Sequence, residues 1–384
     1  VHLRLTLHVD TIAAIATPLG AGGIGVIKIS GPASESALRR LLHPQKQPGE
    51  LQSHRLYHGF IVDPVTGATV DEVLYTLMRA PRSYTREDVV EIQAHGSRCG
   101  LNKILELLCT QGSVRLAEPG EFTKRAFLHG RIDLTQAEAV AELISAQTPQ
   151  GQELAARHLK GDLRRRIESM QHHAEQLLVD IEVGVDFPED VEEIYQPEVL
   201  CGRLVTQVIQ PLERLLDSYE EGHVYRDGVS LIIIGKPNVG KSSLMNCLVQ
   251  KERAIVTTFP GTTRDFIEET VNMGGVPFRL IDTAGLRRTD DDLEAVGIRL
   301  TRQQLAEAHI VLFVIDGSEP ITREDEEIYE AIRRRKIILV INKSDLPNCI
   351  PTPQLLKRFP ARDVVSTSAL YCRGIERIKE VVLP

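Results

Sequence analysis

The sequence lacks any run of about 18 consecutive apolar residues, the minimum for a membrane-spanning helix. Arg4, His8 and Asp10 interrupt the N-terminal stretch, so neither a membrane span nor a signal peptide is read, and a cytoplasmic protein is expected. It also lacks an excess of positive charge. The net charge is −8, so no molecule-wide basic field draws nucleic acid in, and such a partner would need a local patch. Arg164-Arg165-Arg166 and Arg333-Arg334-Arg335-Lys336 are the candidates, and both read first as solvated helix faces. No C-x-x-C pair occurs. The six cysteines (99, 109, 201, 247, 349 and 372) are scattered, which argues against a zinc site or a disulfide framework and suits a reducing compartment. Internal repeats and long low-complexity tracts are absent as well.

What is present is an ordinary globular composition, 42% hydrophobic and 26% charged over 384 residues. The length suggests two or three domains with ample cores. The expected fold class is multidomain α/β. Residues 1–118 read as an α+β domain, with strand-like runs at Thr11–Ala16, Gly25–Ile29, Val73–Met78 and Val89–Gln93 and helix-like runs at Ala33–Leu42 and Gly100–Gln111. Residues 119–222 read as a helical domain. Thr135-Gln-Ala-Glu138 predicts a capping box. Leu163, Ile167, Met170, Ala174, Leu177, Ile181 and Val185 fall on one face of a helix, a stripe that reads as core. Pro188 ends that helix, and a second is expected over Pro197–Tyr219. From 223 to 384, apolar runs at Ser230–Ile234, Phe278–Ile281, Ile310–Ile315 and Ile337–Ile341 alternate with helical segments, which predicts a mostly parallel sheet.

That last region carries the chemistry. Residues 235–242 read GKPNVGKS and fit G-x-x-x-x-G-K-S/T between a buried-strand pattern and a helix-like run. PGTTRD (260–265), DTAG (282–285), NKSD (342–345) and TSAL (367–370) follow in the order a guanine nucleotide site needs. Gly235 and Gly240 let the backbone curl so that the amides of Asn238, Val239, Gly240, Lys241, Ser242 and Ser243 surround phosphate. Lys241 supplies a point charge to the β- and γ-phosphates, and Ser242 and Thr263 are the expected Mg²⁺ hydroxyls. Asp282 is placed to approach Mg²⁺ through water, with Thr283 and Ala284 leading to Gly285, whose amide can reach a γ-phosphate. Asp345 can accept from N1–H and the exocyclic amine of guanine, a donor pair adenine lacks. Asn342, Lys343, Ser368 and Ala369 complete the base pocket.

Two further features are informative. Gly20–Gly25 fits G-x-G-x-x-G, but Val26–Gly31 reads as another strand instead of a helix, and no strand ending in an acid follows about 20 residues on. A tight β-connection fits better than a dinucleotide site. After DTAG, Leu286-Arg287 stands where a Ras-type catalytic glutamine would follow, so water must be positioned by another group.

With these residues in place, the chain resembles the MnmE (TrmE) family of tRNA-modifying GTPases along its whole length. DTIAAIATPLGAGGIGVIKISG near the N-terminus, SYTREDVVEIQAHG (83–96) and AEPGEFTKRAFLHGRIDLTQAEA (117–139) look like family signatures and are more specific than the phosphate loop. The resemblance implies GTP hydrolysis coupled to an aminomethyl or carboxymethylaminomethyl modification at C5 of the wobble uridine, together with the FAD-dependent partner MnmG. It implies a homodimer, with an N-terminal domain that holds 5-formyl-tetrahydrofolate or a related reduced folate through Lys28, Glu91 and Arg131. It further implies K⁺ at Asn238, Thr257, Phe259 and Thr262 within a loop that also holds Thr258, Pro260 and Gly261, and a water-orienting Glu294. Lys28 stands where arginine is common in the family. Family members continue to a C-terminal C-x-G-K motif. This sequence stops at Pro384 without one, which reads as a truncated or incompletely observed chain, and Cys372 is no substitute. The rivals are an Era- or Der-like ribosome-assembly switch and a folate scaffold with a degenerate G domain. Intact Lys241, Ser242 and Asp345 argue against the second.

Overall fold

The computed structural model describes residues 10–18, 20, 22–44, 49–110, 112–186, 196–252, 268–282, 305, 308–349 and 351–383. The chain divides into two compact units, Val1–Ala141 with Leu159–Arg164, and Glu142–His158 with Arg165–Pro384.

The first unit is built on a seven-stranded sheet in the order β3-β4-β5-β6-β2-β1-β7. The strands are β1 (Thr11–Ile15), β2 (Gly22–Ser30), β3 (Leu42–Pro44), β4 (Leu56–Val62), β5 (Thr69–Met78), β6 (Val89–Gly96) and β7 (Val114–Leu116). Helix α1 (Ser34–Leu41) follows β2, α2 (Arg98–Thr110) follows β6, and α3 (Glu121–Leu128) follows β7. Alternation sorts the side chains by face. Ile27, Ile29, Tyr75, Leu77, Val90 and Ile92 form one core with Leu101, Ile104 and Leu108 of α2. Lys28, Glu91 and Thr76 alternate with these core positions in β2, β6 and β5 and so stand on the opposite side of the sheet. β1 and β2 pair antiparallel, as a β-connection through the glycine-rich segment requires. Gly25 lets α2 pack close: a Cβ there would lie 2.4 Å from Leu101 Cδ1, so a larger residue would have to displace that side chain.

The helices that follow are α4 (Leu134–Ser145), α5 (Pro149–Leu159), α6 (Asp162–Asp186), α7 (Pro197–Leu204) and α8 (Gln210–Asp227), the last two joined by a π-helical turn at Val205–Ile209. The π turn sits where Pro211 would otherwise clash with the preceding turn, and Gln210 N–H reaches back to the Val205 carbonyl. Two expectations are corrected here. The capping box starts two residues earlier than Thr135: Asp133 Oδ1 accepts from Gln136 N–H (2.9 Å), and Gln136 Oε1 accepts from Asp133 N–H (3.1 Å). Thr135 instead donates its hydroxyl to Asp133 Oδ1. The apolar stripe of α6 is not a core seam along its length. Met170 and Leu177 are buried, but Ile167, Ile181 and Val185 are 44%, 40% and 68% exposed. Periodicity assigns residues to a helix face and is silent on what covers that face.

The second unit ends in a six-stranded sheet in the order β13-β12-β11-β8-β10-β9. These are β8 (Val229–Ile234), β9 (Glu268–Met273), β10 (Val276–Asp282), β11 (Ile310–Asp316), β12 (Ile337–Asn342) and β13 (Asp363–Ser366). All neighbours run parallel except β9 on β10. Helices α9 (Lys241–Glu252), α10 (Arg323–Ile332), α11 (Thr352–Arg358) and α12 (Ile375–Val382) follow β8, β11, β12 and β13 respectively. Strands β8, β11 and β12 are buried on both faces, which is why they read as continuous apolar runs. Leu231, Ile233, Leu312, Val314, Ile338 and Val340 pack in one core, and Ile232, Ile234, Val311, Phe313, Leu339 and Ile341 in another.

A third correction concerns sulfur. Cys247 of α9 and Cys372 of the β13–α12 loop form a disulfide across 125 residues of sequence. Scattered spacing carried no sign of it, because the pairing arises from the parallel sheet bringing α9 beside that loop.

Candidate active site

The chain leaves β8 and turns into α9 through residues 235–240. Gly235 lies against β11, where a Cβ would come 2.2 Å from the Val314 carbonyl oxygen. Gly240 has φ +95°, and a Cβ there would lie 2.3 Å from Asn342 Nδ2. Asn238 also takes a positive φ of 64°, a conformation asparagine tolerates better than most residues. The loop is therefore curled by its backbone, with Asn238, Ser242 and Ser243 exposed and Val239 buried beneath. Lys241 is largely buried. Its Nζ donates to the carbonyl oxygens of Gly235 (2.9 Å) and Lys236 (2.8 Å), which holds the ammonium across the mouth of the loop.

Asn342, at the end of β12, fastens the base side to the phosphate side. Its Nδ2 donates to Val239 O (2.7 Å), while its Oδ1 accepts from Ala369 N–H (3.0 Å) and the Thr367 hydroxyl (3.1 Å). Ser368 Oγ donates to Asp345 Oδ1 at 2.5 Å. Asp345 itself is exposed, where a base can reach it, while Thr367 and Ser368 are fully buried. Lys343 has φ 60° and pairs with Asp316 Oδ2 at 2.6 Å. Burial opposes ionisation of Asp316, but hydrogen bonds from Lys343 and Ser318 outweigh it and lower its pKa. Asp282 ends β10 in register with Ile233 of β8, two residues before the loop begins.

Of the residues expected from sequence, Asn238, Val239 and Gly240 lie on the loop after β8, Lys241, Ser242 and Ser243 on the first turn of α9, Asn342 at the end of β12, Lys343 and Asp345 on the loop after β12, and Ser368 and Ala369 on the loop after β13, all at the C-terminal ends of parallel strands, where this architecture binds ligands. Thr257, Thr258, Phe259, Pro260, Gly261, Thr262, Thr263, Thr283, Ala284, Gly285 and Glu294 lie outside the described residues. Four supporting residues were missed. Asp316 anchors Lys343, and Lys236 is tied to Glu319 (3.2 Å) on the β11–α10 connection and to Asp325 (3.5 Å) in the first turn of α10, which fixes the start of the phosphate loop to that region. A strand-terminal acid at 316 and a second lysine inside the loop motif were the available signals.

In the first unit, Lys28 and Glu91 face each other in register across β2 and β6, with Lys28 Nζ 3.1 Å from Glu91 Oε1. Both are partly exposed, at 35% and 24% of the side chain. Arg131 does not join this ion pair. Its guanidinium lies over the Tyr84 ring, 4.7 Å from the centroid.

A curled loop with a buried lysine between a parallel strand and a helix, joined through Asn342 to an exposed carboxylate, defines a P-loop GTPase. Comparison with known proteins agrees and goes further. Residues 230–343 match the family model of the 50S ribosome-binding GTPase, and residues 11–131 match that of the GTP-binding protein TrmE N-terminus. The tRNA modification GTPase MnmE of Syntrophobacter fumaroxidans is 48% identical over 381 residues, covering 97% of this chain and 80% of the relative. That of Carboxydothermus hydrogenoformans is 46% identical, with 98% and 82% covered. Among solved structures, the G domain of the T. maritima FeoB iron transporter is 29% identical, covering 40% of this chain and 94% of that one, with a TM-score of 0.31. The chain belongs to the MnmE family of tRNA modification GTPases.

Proposed function

We propose that this chain hydrolyses GTP in the service of tRNA wobble-uridine modification. The observation that supports the reading is the Asn342 bridge between Val239 of the phosphate loop and Ala369, beside the Ser368 that bonds the Asp345 carboxylate. Lys241 would leave the carbonyls of Gly235 and Lys236 for the β- and γ-phosphates, and Ser242, exposed on the first turn of α9, would ligate Mg²⁺ with Thr263. Asp282 would approach that ion through water, and Glu294 would orient the attacking water. The rival reading as an Era- or Der-like assembly switch loses support because the MnmE relatives match along 97% of the chain, the first unit included.

K⁺ sits at Asn238 with the Thr257, Phe259 and Thr262 positions, where a monovalent cation neutralises charge developing on the phosphates. The exposed, positive-φ Asn238 side chain suits that role. A reduced folate of the 5-formyl-tetrahydrofolate type binds at Lys28, Glu91 and Arg131. Partners are a second copy of the chain, MnmG and tRNA, in the cytoplasm. No helix among the described residues is long and apolar enough to cross a membrane.

Hydrolysis is expected to run about tenfold or more faster in KCl than in NaCl, the scale on which one electrostatic partner acts on a charged transition state. Asn238→Ala should remove the difference and leave GDP binding nearly intact. Equal rates in the two salts would rule out the cation site, and no hydrolysis in either would rule out the GTPase reading.

For the folate site, calorimetric titration with 5-formyl-tetrahydrofolate should show binding that weakens about tenfold or more in Glu91→Gln, because a charged acceptor contributes about 1.5–3 kcal/mol per hydrogen bond. The Lys28–Glu91 pair is half-exposed and contributes little to stability by itself. Unfolding should therefore barely change in the variant. Undiminished folate affinity would return the two residues to an ordinary cross-strand ion pair.

A further inference from the structure

The β13–α12 loop carries Ser368 and Ala369, and its tip is tied to the helix that carries Lys241 and Ser242. Within the loop, Ser368 and Arg373 exchange backbone hydrogen bonds (3.2 and 3.1 Å), and Tyr371 N–H donates to Ser368 O. Cys372 takes a φ of 47° at the turn. The Cys247–Cys372 disulfide closes this turn onto α9, six residues beyond Lys241. Cys247 Sγ also lies 3.1 Å from the carbonyl oxygen of Ala369, the residue whose N–H holds Asn342. Cys247 is buried at 4% exposure, while Cys372 is only half-buried. The other four cysteines are unpaired.

We propose that Cys247 and Cys372 form a reversible thiol–disulfide modification site that sets how long a guanine nucleotide stays bound. The co-reactant is a dithiol reductant. Its first thiolate attacks the accessible Cys372 sulfur, forming a mixed disulfide and releasing Cys247 as thiolate, which takes a proton. The second thiol of the reductant then attacks its own sulfur in the mixed disulfide and releases Cys372. Two electrons and two protons pass from the dithiol to the protein, and the reductant leaves as its disulfide. In the reduced form the Cys247 S–H can donate to Ala369 O, a weak bond in place of a covalent one. The loop then opens more readily, and the groups that hold Asn342 and Asp345 open with it. Intracellular disulfides are commonly transient or redox-sensing, which suits such a site.

The proposal rests on the GTPase reading above, so its test has one arm independent of nucleotide. The full chain is alkylated under denaturing conditions before and after reduction, and the labelled cysteines are assigned by mass spectrometry. Release of a fluorescent GDP is then followed in both states. The expected result is that Cys247 and Cys372 are labelled only after reduction, and that GDP release is about tenfold faster in the reduced chain, as local loop opening of this kind permits. Cys372→Ser should release GDP at the fast rate whatever the redox state. Labelling of both cysteines in the oxidised, unreduced chain would overturn the pair itself. A confirmed pair with equal release rates would overturn its role. Failure to bind any guanine nucleotide in either state would sink the GTPase reading and the residence-time proposal together, with labelling still deciding whether the disulfide forms.

Discussion

Asp345→Asn is expected to weaken GTP binding by about two to three orders of magnitude and to strengthen xanthosine triphosphate binding by a comparable factor. In the proposed site the carboxylate would accept from N1–H and the 2-amino group of guanine. An asparagine amide opposes the 2-amino group with a donor of its own, leaving two donors face to face. Xanthine presents an oxygen at that position and accepts from the amide. The surroundings should tolerate the exchange. Asp345 is exposed, and it accepts from the Ser368 hydroxyl at 2.5 Å, which can donate to an amide oxygen as well as to a carboxylate. Asn342 keeps its three bonds, so the phosphate loop stays in place. Competition of unlabelled GTP and XTP against a fluorescent guanine nucleotide reads both affinities. A variant that binds GTP as tightly as the parent would remove Asp345 from the base pocket.

How much of this was visible in the sequence depends on what each feature requires. Phosphate demands a tight backbone curl with a lysine after it, and guanine demands a carboxylate at a fixed distance from an asparagine. Such requirements fix residue types at fixed spacings, so Lys241, Asn342 and Asp345 could be read directly. The parallel sheet was legible because strands buried on both faces cannot spare polar positions. β13 was missed because Asp363–Ser366 is a short edge strand with polar ends. The disulfide was invisible, since its partners meet only through tertiary folding. The capping box was misplaced by two residues because Asp133 and Thr135 are both good cap residues, and only the helix start decides between them. Lys28 and Glu91 came from resemblance, and the register of β2 on β6 puts them opposite each other. For Arg131 the same resemblance gave a residue whose charge lies against Tyr84.

The largest stability effect is expected in the first unit, from Arg125→Met. Arg125 is only 5% exposed and meets three carboxylates. It bonds Asp10 Oδ1 (2.7 Å), Glu121 Oε1 (3.0 Å) and both oxygens of Glu87 (3.2 Å). Its guanidinium also donates to the Asp10 carbonyl, so it ties the start of β1 and the β5–β6 connection to α3. Arg115 shares the cluster, with Asp10 at 2.6 Å and Glu121 at 2.6 Å. Methionine fills much of the volume but leaves Glu87, 13% exposed, with the Ser30 hydroxyl as its remaining short contact from this group. Breaking a buried pair by removing one partner costs about 3–5 kcal/mol, because the other charge stays behind. Acid should act on the same cluster. The hydrogen bond from Arg115, helped by Glu118 N–H and Arg125, outweighs burial and holds the Glu121 carboxyl at about 2, below its ordinary 4.5. The contribution of Glu121 is therefore complete above pH 4.5 and is lost as the pH falls through 2. Arg125→Met should flatten that loss, since one of the cations lowering the Glu121 pKa has gone. Two units need not unfold together, so hydrogen exchange at the amides of β1 and α3, compared near pH 7 and in acid, is the suitable readout. Unchanged protection in the variant would mean that Arg115 alone sustains the cluster. Replacing Glu87 by glutamine in the same variant should restore part of the loss, and a further loss there would show that Glu87 is not the charge left unpaired.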